Sequence, residues 1–314
     1  MLKLLYLTSS SYSGSTLFTF LVNQHPSIFS IGELEGWDYG DAEFKCSCNS
    51  LIEDCPFFKE VAKEYEKKSL SFSTKNFGTK LILSKNKTVN RYLTSGIPYL
   101  QFSPLEHARD YVLRHLPLLK DRFRIARDSN TAFVRKSLEY SDADVFLDAT
   151  KNPYRLRFLS TISDFDLTVL YMVRDFRGVV ASNIRKKHID AEFGIDQWIH
   201  EQETILRILK EYPRVEKLYY EDLCKFTNSS LNEVYNLMGL DEYRFDGDFR
   251  KGDHHILGNT MRVSNVNEIS LDQRWKTELD KKQIDLITDK AYTYSTNGKN
   301  SELRNIVKHY LDSE

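Results

Sequence analysis

The sequence predicts an α/β fold, namely a P-loop-like, doubly wound and mostly parallel sheet that is flanked by helices. The first observation is a strand, a loop of small residues and a helix within residues 2–24. The second is an alternation of apolar strands and helical segments over residues 145–220. The third is a stretch at about 37–141 that lacks this alternation. We therefore expect a single domain over residues 1–314, in which 37–141 is a helical insertion that caps the ligand site.

The elements before and within the insertion are indicated by apolar patterns and stop signals. Residues 2–7 form a short, continuous apolar run, as expected of a buried parallel strand. A helical pattern at 15–24 ends at a His-Pro pair, and a second short strand at 28–31 is followed by a Gly-Glu pair. In the insertion we expect helices at 59–68 and 106–127.

The alternation resumes after the insertion, with strands expected at 145–149, 167–173 and 215–220. The helical segments that follow these strands are expected from 153 onward and at 177–187, 197–212, 230–238, 281–296 and 302–311. Ligands of such sheets bind at the carboxyl ends of the strands. The polar residues expected at that edge are Ser10, Glu33, Lys151, Arg174 and Tyr220. The sequence therefore predicts a ligand site there.

Composition excludes some classes of partner. The chain has 44 basic and 45 acidic residues, so its net charge of −1 gives no global attraction to nucleic acid or to an anionic membrane. An apolar stretch of the length of a membrane span is absent from the sequence. Because the first strand begins next to Met1, we expect no targeting segment and a cytoplasmic location.

The loop after the first strand is typical of phosphate binding. It contains Ser11, Tyr12, Ser13, Gly14, Ser15 and Thr16. Such a loop directs backbone N–H groups and the positive end of a helix at an anion. It differs from a Walker A loop, because Ser15 rather than Lys follows Gly14 and the usual opening Gly is absent. The loop therefore favours one phosphate-like group at the 5′ end of a nucleotide, without Mg²⁺.

A second phosphate site is indicated where the strand at 167–173 ends. Arg174 follows this strand, and Ser182 lies eight residues later on the expected helix. An Arg at a strand end and a hydroxyl two helical turns along can hold a phosphate from two sides. The alternative is a surface ion pair of Arg174 with Asp175 and an uninvolved serine.

Together these segments resemble the sulfotransferase family, whose sulfuryl donor is 3′-phosphoadenosine 5′-phosphosulfate (PAPS) and whose nucleotide product is 3′,5′-ADP. The small-residue loop resembles the 5′-phosphosulfate loop of this family, and Arg174 with Ser182 resembles its 3′-phosphate motif. Tyr220, in a Tyr-Glu-Asp-Leu segment, is similar to a tyrosine near the adenine. Arg262 lies in a stretch that resembles a late loop over the nucleotide. Lys151 resembles a strand-end lysine near the transferred group.

The resemblance implies transfer of a sulfuryl group from PAPS to a hydroxyl of a sugar, a glycolipid or a small metabolite. Glu33 resembles the catalytic base of some branches, whereas His25 and His107 are weaker candidates. Tyr12 stands where the family commonly has a basic residue. Lys151 is the candidate to supply that charge instead, and we expect no metal.

Two other functions remain open. A P-loop kinase-like phosphotransferase is disfavoured by the missing lysine after Gly14. A catalytically inactive protein that binds 3′,5′-ADP is favoured only by Tyr12. The expected partner is a small-molecule or glycan hydroxyl acceptor, with no nucleic acid and no membrane span. The last helix, at 302–311, either packs on the domain or forms a homodimer.

Three of the four cysteines are close together in sequence, at Cys46, Cys48 and Cys55. A metal site would need a fourth ligand, such as Cys224 or a histidine. The Cys-x-Cys-x₆-Cys spacing lacks the paired Cys-x₂-Cys form of common zinc sites. Thiols that shape a loop near the acceptor are therefore the favoured interpretation.

Overall fold

The computed structural model describes residues 1–34, 44–96, 102–252 and 254–313. Its described residues contain one sheet of five strands in the order β2-β3-β1-β4-β5, and every neighbouring pair is parallel. The strands are β1 (Leu2–Ser9), β2 (Ile28–Gly32), β3 (Val145–Lys151), β4 (Phe165–Val173) and β5 (Val215–Tyr219). The predicted α/β class is confirmed, and the sheet is parallel throughout rather than mostly parallel.

The sheet is doubly wound around β1. The chain places β2 and β3 on one side of β1 and then crosses to place β4 and β5 on the other side. The direction of winding therefore switches at the carboxyl end of β1, where open α/β sheets form their ligand crevice. The loop that follows Ser9 lies at this switch point.

Helices cover both faces of the sheet. Those in the amino-terminal half of the described chain are α1 (Ser15–Val22), α2 (Pro56–Lys67), α3 (Lys87–Thr94), α4 (Ser103–His115) and α5 (Lys120–Ser141). Those between and beside the later strands are α6 (Pro153–Leu159), α7 (Phe176–Lys187), α8 (Ala191–Leu209), α9 (Tyr220–Lys225) and α10 (Thr227–Leu237). The last are α11 (Trp275–Glu278), α12 (Lys281–Asn297) and α13 (Ser301–Leu311). None of these helices combines the length and the apolar character that a membrane crossing requires.

The alternating side chains of β1 divide the core into two layers. Leu5 and Leu7 point into a cluster that includes residues of α1 and α10. Leu4 and Tyr6 point into a larger cluster with residues of α2, α5, α8, α12 and α13. Burial on both faces explains why most of β1 and β4 reads as a continuous apolar run, whereas the edge strand β5 also contains Glu216 and Lys217.

The described part of the predicted insertion, 44–96 and 102–141, contains α2 to α5 and no strand of the sheet. Residues 37–43 of the prediction lie outside the described residues. The single helix expected at 106–127 is wrong, because a 3-10 turn at Pro117–Leu119 separates α4 from α5. Phe57 of α2 and Phe133 of α5 are fully buried in the larger cluster. Part of this stretch therefore completes the core.

Candidate functional site

The loop between β1 and α1 turns through two left-handed residues and leads directly into the helix. Tyr12 and Gly14 adopt left-handed conformations, with φ of 61° and 94°, and Gly14 is the N-cap of α1. Ser13 Oγ donates a hydrogen bond of 2.8 Å to Ser9 Oγ, which joins the loop to the end of β1. The first N–H groups of a helix have no partner within it, so the start of α1 can accept an anion.

Gly14 is required at its position for a second reason, which is the ring of Tyr220. A Cβ atom at Gly14 would lie 2.3 Å from Cδ2 of Tyr220, far inside van der Waals contact. Tyr220 is the first residue of α9, directly after β5. The guanidinium of Arg174 lies over its ring, 4.7 Å from the centroid. Burial raises the pKa of Tyr220 well above its usual value, so its hydroxyl stays protonated.

Arg174 lies between β4 and α7 and connects three parts of the site. Its Nη1 donates a hydrogen bond of 2.8 Å to the backbone oxygen of Tyr12 in the loop. Its Nη2 is 3.1 Å from Oδ2 of Asp272. The pKa of Asp272 lies well below its usual range, mainly through a hydrogen bond from Arg274 and also through the charge of Arg174. A phosphate at Arg174 would therefore compete with a carboxylate.

Ser182 lies one turn after Gly178 on α7, and Gly178 is the residue that packs against the guanidinium of Arg174. A Cβ atom at Gly178 would be 3.1 Å from Nε of Arg174, and Gly178 accepts a hydrogen bond of 2.9 Å from Ser182 Oγ. Arg185, one turn later, has its Nη2 at 3.5 Å from Ser182 Oγ and forms an ion pair with Glu278. A second arginine, Arg185, therefore lies beside Ser182 in addition to the expected Arg174, and the sequence did not single it out.

Glu33 and Lys151 form an ion pair at the carboxyl ends of β2 and β3, in which Lys151 Nζ donates to Glu33 Oε1. Lys151 has a left-handed backbone with φ of 73°, which is uncommon for a residue other than glycine. Thr8 Oγ1 of β1 donates a hydrogen bond of 2.8 Å to the Lys151 oxygen. The structure therefore brings the two proposed catalytic residues together.

A cavity of about 850 Å³ opens beside this ion pair. Its lining includes Glu33 and Lys151 together with Ser9 and Ser11 of β1 and the loop. Helix α8 supplies most of another wall, with Phe193, Asp196, Gln197, His200, Glu201, Thr204 and Ile205. The insertion contributes Arg91, Ser95 and Gly96. The sequence does not single out α8 as a wall of the site, although most of these lining residues lie within the helix expected at 197–212.

Two cations of α7 lie near Tyr12, where the family resemblance implies a basic residue. Lys187 Nζ is 5.6 Å from the centroid of the Tyr12 ring. Burial raises the pKa of Tyr12, and the charge of Arg185 opposes this shift. A cluster of basic residues at the end of α7 was the signal in the sequence for these side chains.

The remaining candidates lie away from the cavity wall that Glu33 lines. Arg262 donates hydrogen bonds to the backbone oxygens of Lys45, at 2.7 Å, and of Gly258, at 3.0 Å. It therefore holds two loops together. His25 is buried against Tyr235, with its centroid 4.5 Å from that ring. His107 pairs with Glu211 at 3.1 Å on the surface.

No family model and no curated protein matches this chain. The structure is similar to the sulfotransferase domain from the curacin biosynthetic pathway, at 17% identity and a TM-score of 0.49 over 92% of this chain and 97% of that chain. The sulfotransferase domain from the Synechococcus PCC 7002 olefin synthase is similar at 17% identity, a TM-score of 0.48 and coverage of 92% and 94%. A sulfotransferase from Alicyclobacillus acidocaldarius is similar at 10% identity, a TM-score of 0.38 and coverage of 91% and 89%.

These solved structures belong to the family that the sequence motifs resemble. Because the identities are low and the scores are below 0.5, we base the function on the residues of this chain.

Proposed function

We propose that the protein is an O-sulfotransferase that uses PAPS as its donor. The observation that carries this proposal is that the loop after β1 lies between two groups of polar residues at the carboxyl edge of the sheet. Arg174 contacts the loop on one side through Tyr12, and the ion pair of Glu33 and Lys151 shares a cavity with Ser9 and Ser11 on the other. A donor site and an acceptor site would then meet at the loop, as an in-line transfer requires.

The loop fits the phosphosulfate end of the donor. Ser10 Oγ is buried and has no hydrogen-bond partner among the described residues, so a polar group is available at the end of β1. The N–H groups at the start of α1 would hold the 5′ end, with the hydroxyls of Ser11, Ser13, Ser15 and Thr16 around them. No lysine follows Gly14, as expected if one phosphate-like group is bound.

The nucleotide end would lie toward Arg174. Arg174 and Ser182 would bind the 3′-phosphate, and Tyr220 would contact the adenine side. Arg262 would act on the nucleotide through the loop that it holds. Arg174 is buried, with 6% exposure, and a 3′-phosphate bound to it would compete with the Asp272 carboxylate 3.1 Å away.

The chemistry would be shared between the two strand-end residues. The donor supplies an activated sulfuryl group, whose transfer leaves negative charge on the 5′-phosphate oxygen. Glu33 would remove the proton from the acceptor hydroxyl. Lys151 would hold Glu33 in position and place a positive charge beside the reacting groups. Lys187 and Arg185 stand near Tyr12 and would supplement the charge that this tyrosine lacks.

The cavity is suited to an acceptor with several hydroxyls. His200, Gln197 and Glu201 offer hydrogen-bond donors and acceptors, and the exposed ring of Phe193 offers an apolar face. We therefore propose a sugar, a glycolipid or a small hydroxylated metabolite as the acceptor class. A cytoplasmic location and a homodimer are kept as predictions. Helix α13 packs on the domain, because its apolar residues Leu303, Ile306 and Val307 are buried in the larger core cluster, so a dimer would have to use another surface.

The proposal is tested by measuring the melting temperature with different nucleotides. At about 100 times its Kd, 3′,5′-ADP should raise the melting temperature of a chain of this size by about 4 °C. Stabilisation by Mg·ATP, but not by 3′,5′-ADP, would instead identify a kinase. Stabilisation by 3′,5′-ADP without loss of sulfate from PAPS, either to acceptors or to water, would identify an inactive binding protein.

A further inference from the structure

A cluster of three cysteines and one histidine lies outside the site proposed above. Its members are Cys46, Cys48, Cys55 and His255, and their four possible ligand atoms all lie within 4.8 Å of one another. Cys46, Cys55 and His255 are fully buried, and Cys48 is half-buried. Nothing in the proposed sulfuryl transfer uses these side chains.

The chain is shaped to bring the three thiols together. Cys46 and Cys48 lie in a tight turn, in which Asn49 has a left-handed φ of 68° and its N–H donates to the Cys46 oxygen at 2.9 Å. The N–H of Cys46 donates to the Ser50 oxygen, also at 2.9 Å. Cys55 is the N-cap of α2, a position where its thiol makes no capping hydrogen bond. The sulfur of Cys55 faces the turn, where it lies 3.7 Å from Sγ of Cys48.

Two separations between the ligand atoms are close to those of a tetrahedral metal site, and every other pair lies within 4.8 Å. Sγ of Cys48 and Sγ of Cys55 are 3.7 Å apart. Two thiolates bound to one zinc ion at about 2.3 Å would be about 3.8 Å apart in a tetrahedron. Cys55 Sγ is 3.2 Å from Nδ1 of His255, which is a few tenths of an ångström inside the corresponding sulfur–nitrogen separation. These two pairs need to shift by only a few tenths of an ångström to seat an ion.

The histidine is oriented by its other ring nitrogen. Nε2 of His255 lies 3.2 Å from the hydroxyl of Tyr140. Phe57 stacks on the same ring at 5.4 Å between centroids. Metal-binding histidines are oriented in this way, with the second nitrogen hydrogen-bonded and the first directed at the metal.

We propose that Cys46, Cys48, Cys55 and His255 bind one Zn²⁺ ion in a tetrahedral site. Three thiolates and one imidazole are a ligand set of structural zinc sites, and four protein ligands leave no position open for substrate. The site is structural in this assignment, which revises the expectation that the protein contains no metal. The proposal rests on the cluster alone and is independent of the sulfotransferase function.

The ion would fix the loop that carries His255 against the core. Ser47, within the cysteine turn, donates through Oγ to the His254 oxygen at 2.8 Å and accepts from the Ile256 N–H at 2.7 Å. Leu257 N–H donates to the Ile31 oxygen of β2 at 2.7 Å. Zinc would thus join α2, the cysteine turn and the strand that leads to Glu33.

The first test is the metal content of the purified full-length protein. We expect about one zinc per chain in the wild type and in Cys224→Ser, which changes the cysteine outside the cluster, and less than about 0.2 in Cys48→Ser. Cys48 is chosen because it is half-buried, so that its substitution disturbs the core least. A zinc content below about 0.2 per chain in the wild type would overturn the proposal. So would equal zinc contents in Cys48→Ser and Cys224→Ser.

A second test does not depend on the folding of a variant. Wild-type protein prepared with Co²⁺ should show the intense visible bands of a tetrahedral ion and a thiolate-to-cobalt charge-transfer band. A chelator should lower the melting temperature of the zinc protein, and Zn²⁺ but not Mg²⁺ should restore it. An octahedral cobalt spectrum would contradict the proposal. So would two fewer reactive thiols than the four cysteines of the chain, counted after denaturation in a chelator without a reductant, because that count indicates a disulfide.

Discussion

Arg174 is the residue on which the donor assignment depends most. Its guanidinium contacts the loop at the Tyr12 oxygen, the ring of Tyr220 and the carboxylate of Asp272. Arginine presents several N–H donors in one plane, so it can bind a phosphate while it keeps part of this network. A lysine could not make these contacts from the same position.

We predict that Arg174→Ala weakens the binding of 3′,5′-ADP far more than that of 5′-AMP. Loss of a charge-assisted contact to the 3′-phosphate should cost about 2–4 kcal/mol, whereas 5′-AMP lacks this phosphate. Titration calorimetry with both nucleotides measures the difference. Arg274→Ala is the matched control, because Arg274 pairs with the same Asp272 at 2.7 Å but lies 59% exposed. Equal losses for the two nucleotides would contradict the assignment.

The ion pair of Glu33 and Lys151 makes a different prediction for each partner. Glu33→Gln should abolish sulfuryl transfer and leave 3′,5′-ADP binding intact, because a base serves the acceptor. Lys151→Ala should lower kcat by about 10²-fold or more with little change in donor affinity, because its charge acts mainly on the transition state. Steady-state kinetics and calorimetry separate these effects.

Lys187→Ala is the comparison that decides where the charge near Tyr12 comes from. If Lys151 carries the role of the missing basic residue, Lys187→Ala should lower kcat by about tenfold or less. Full turnover in Lys151→Ala together with a large loss in Lys187→Ala would transfer the role to α7, whose Lys187 lies 5.6 Å from the Tyr12 ring.

At the scale of elements, the turn from β1 into α1 should be intolerant of any side chain at Gly14. Gly14→Ala combines a left-handed backbone with a clash against Tyr220, and we expect it to cost about 2–4 kcal/mol and to reduce 3′,5′-ADP binding. Gly239→Ala is the control, because Gly239 has φ of 66° but nothing within 4 Å of the added methyl. It should cost about 1 kcal/mol. Urea unfolding measures both, and equal costs would show that the contact with Tyr220 does not matter.

Strands β1 to β4 were predictable because they are mainly buried apolar runs, whereas β5 at the sheet edge has only Leu218 buried. The observed bounds of all five strands differ from the expected ones by at most two residues. The helices were less predictable. Pro117 is the signal in the sequence for the break between α4 and α5. The helical pattern at 106–127 continues across this proline and therefore predicts one helix instead of two. Helix α8 begins at Ala191 rather than at 197, because Asp190 caps it by accepting from Phe193 N–H.

The candidate site was predictable as far as it follows from strand ends. Parallel strands must bring their carboxyl ends to one edge, so the meeting of Glu33 and Lys151 follows from the fold class. No comparable rule predicts which residues meet when distant segments of the chain pack together. His255 lies 200 residues from Cys55, and no local pattern in the sequence pairs them.

At the scale of the whole molecule, a buried charge network attaches the insertion to the α/β core. Glu106 of α4 is fully buried and accepts hydrogen bonds from Arg157 of α6, at 2.5 Å, and from Arg207 of α8, at 2.8 Å. Arg157 also pairs with Glu211 at 2.6 Å. Burial opposes ionisation of Glu106, but the hydrogen bonds and charges of the two arginines outweigh it and lower its pKa. The network therefore holds α4 beside the helix that lines the cavity.

Glu106→Gln tests this attachment. The variant leaves the buried Arg157 and the partly buried Arg207 short of a negative charge, and because Arg157 retains Glu211 we expect a loss of about 3 kcal/mol in the free energy of unfolding at pH 7. Since the pKa of Glu106 is lowered in the folded state, its contribution is fully present above the unfolded pKa of about 4.3 and is lost as the pH falls through the folded value. The difference between wild type and variant should therefore stay constant from pH 8 to about pH 5 and shrink at lower pH.

Glu192→Gln provides the scale for an exposed pair, because Glu192 is 64% exposed and pairs with Lys290 at 2.9 Å. It should cost less than about 1 kcal/mol at any pH. Urea unfolding across the pH range measures all three proteins, and limited proteolysis of the folded Glu106→Gln protein shows which segment is released. If the insertion is attached through this network, cleavage should occur first within α4 and its flanking segments, and the α/β core should remain intact. A cost no greater than that of Glu192→Gln, or first cleavage in the core, would show that packing of α2 and α5 holds the insertion without Glu106.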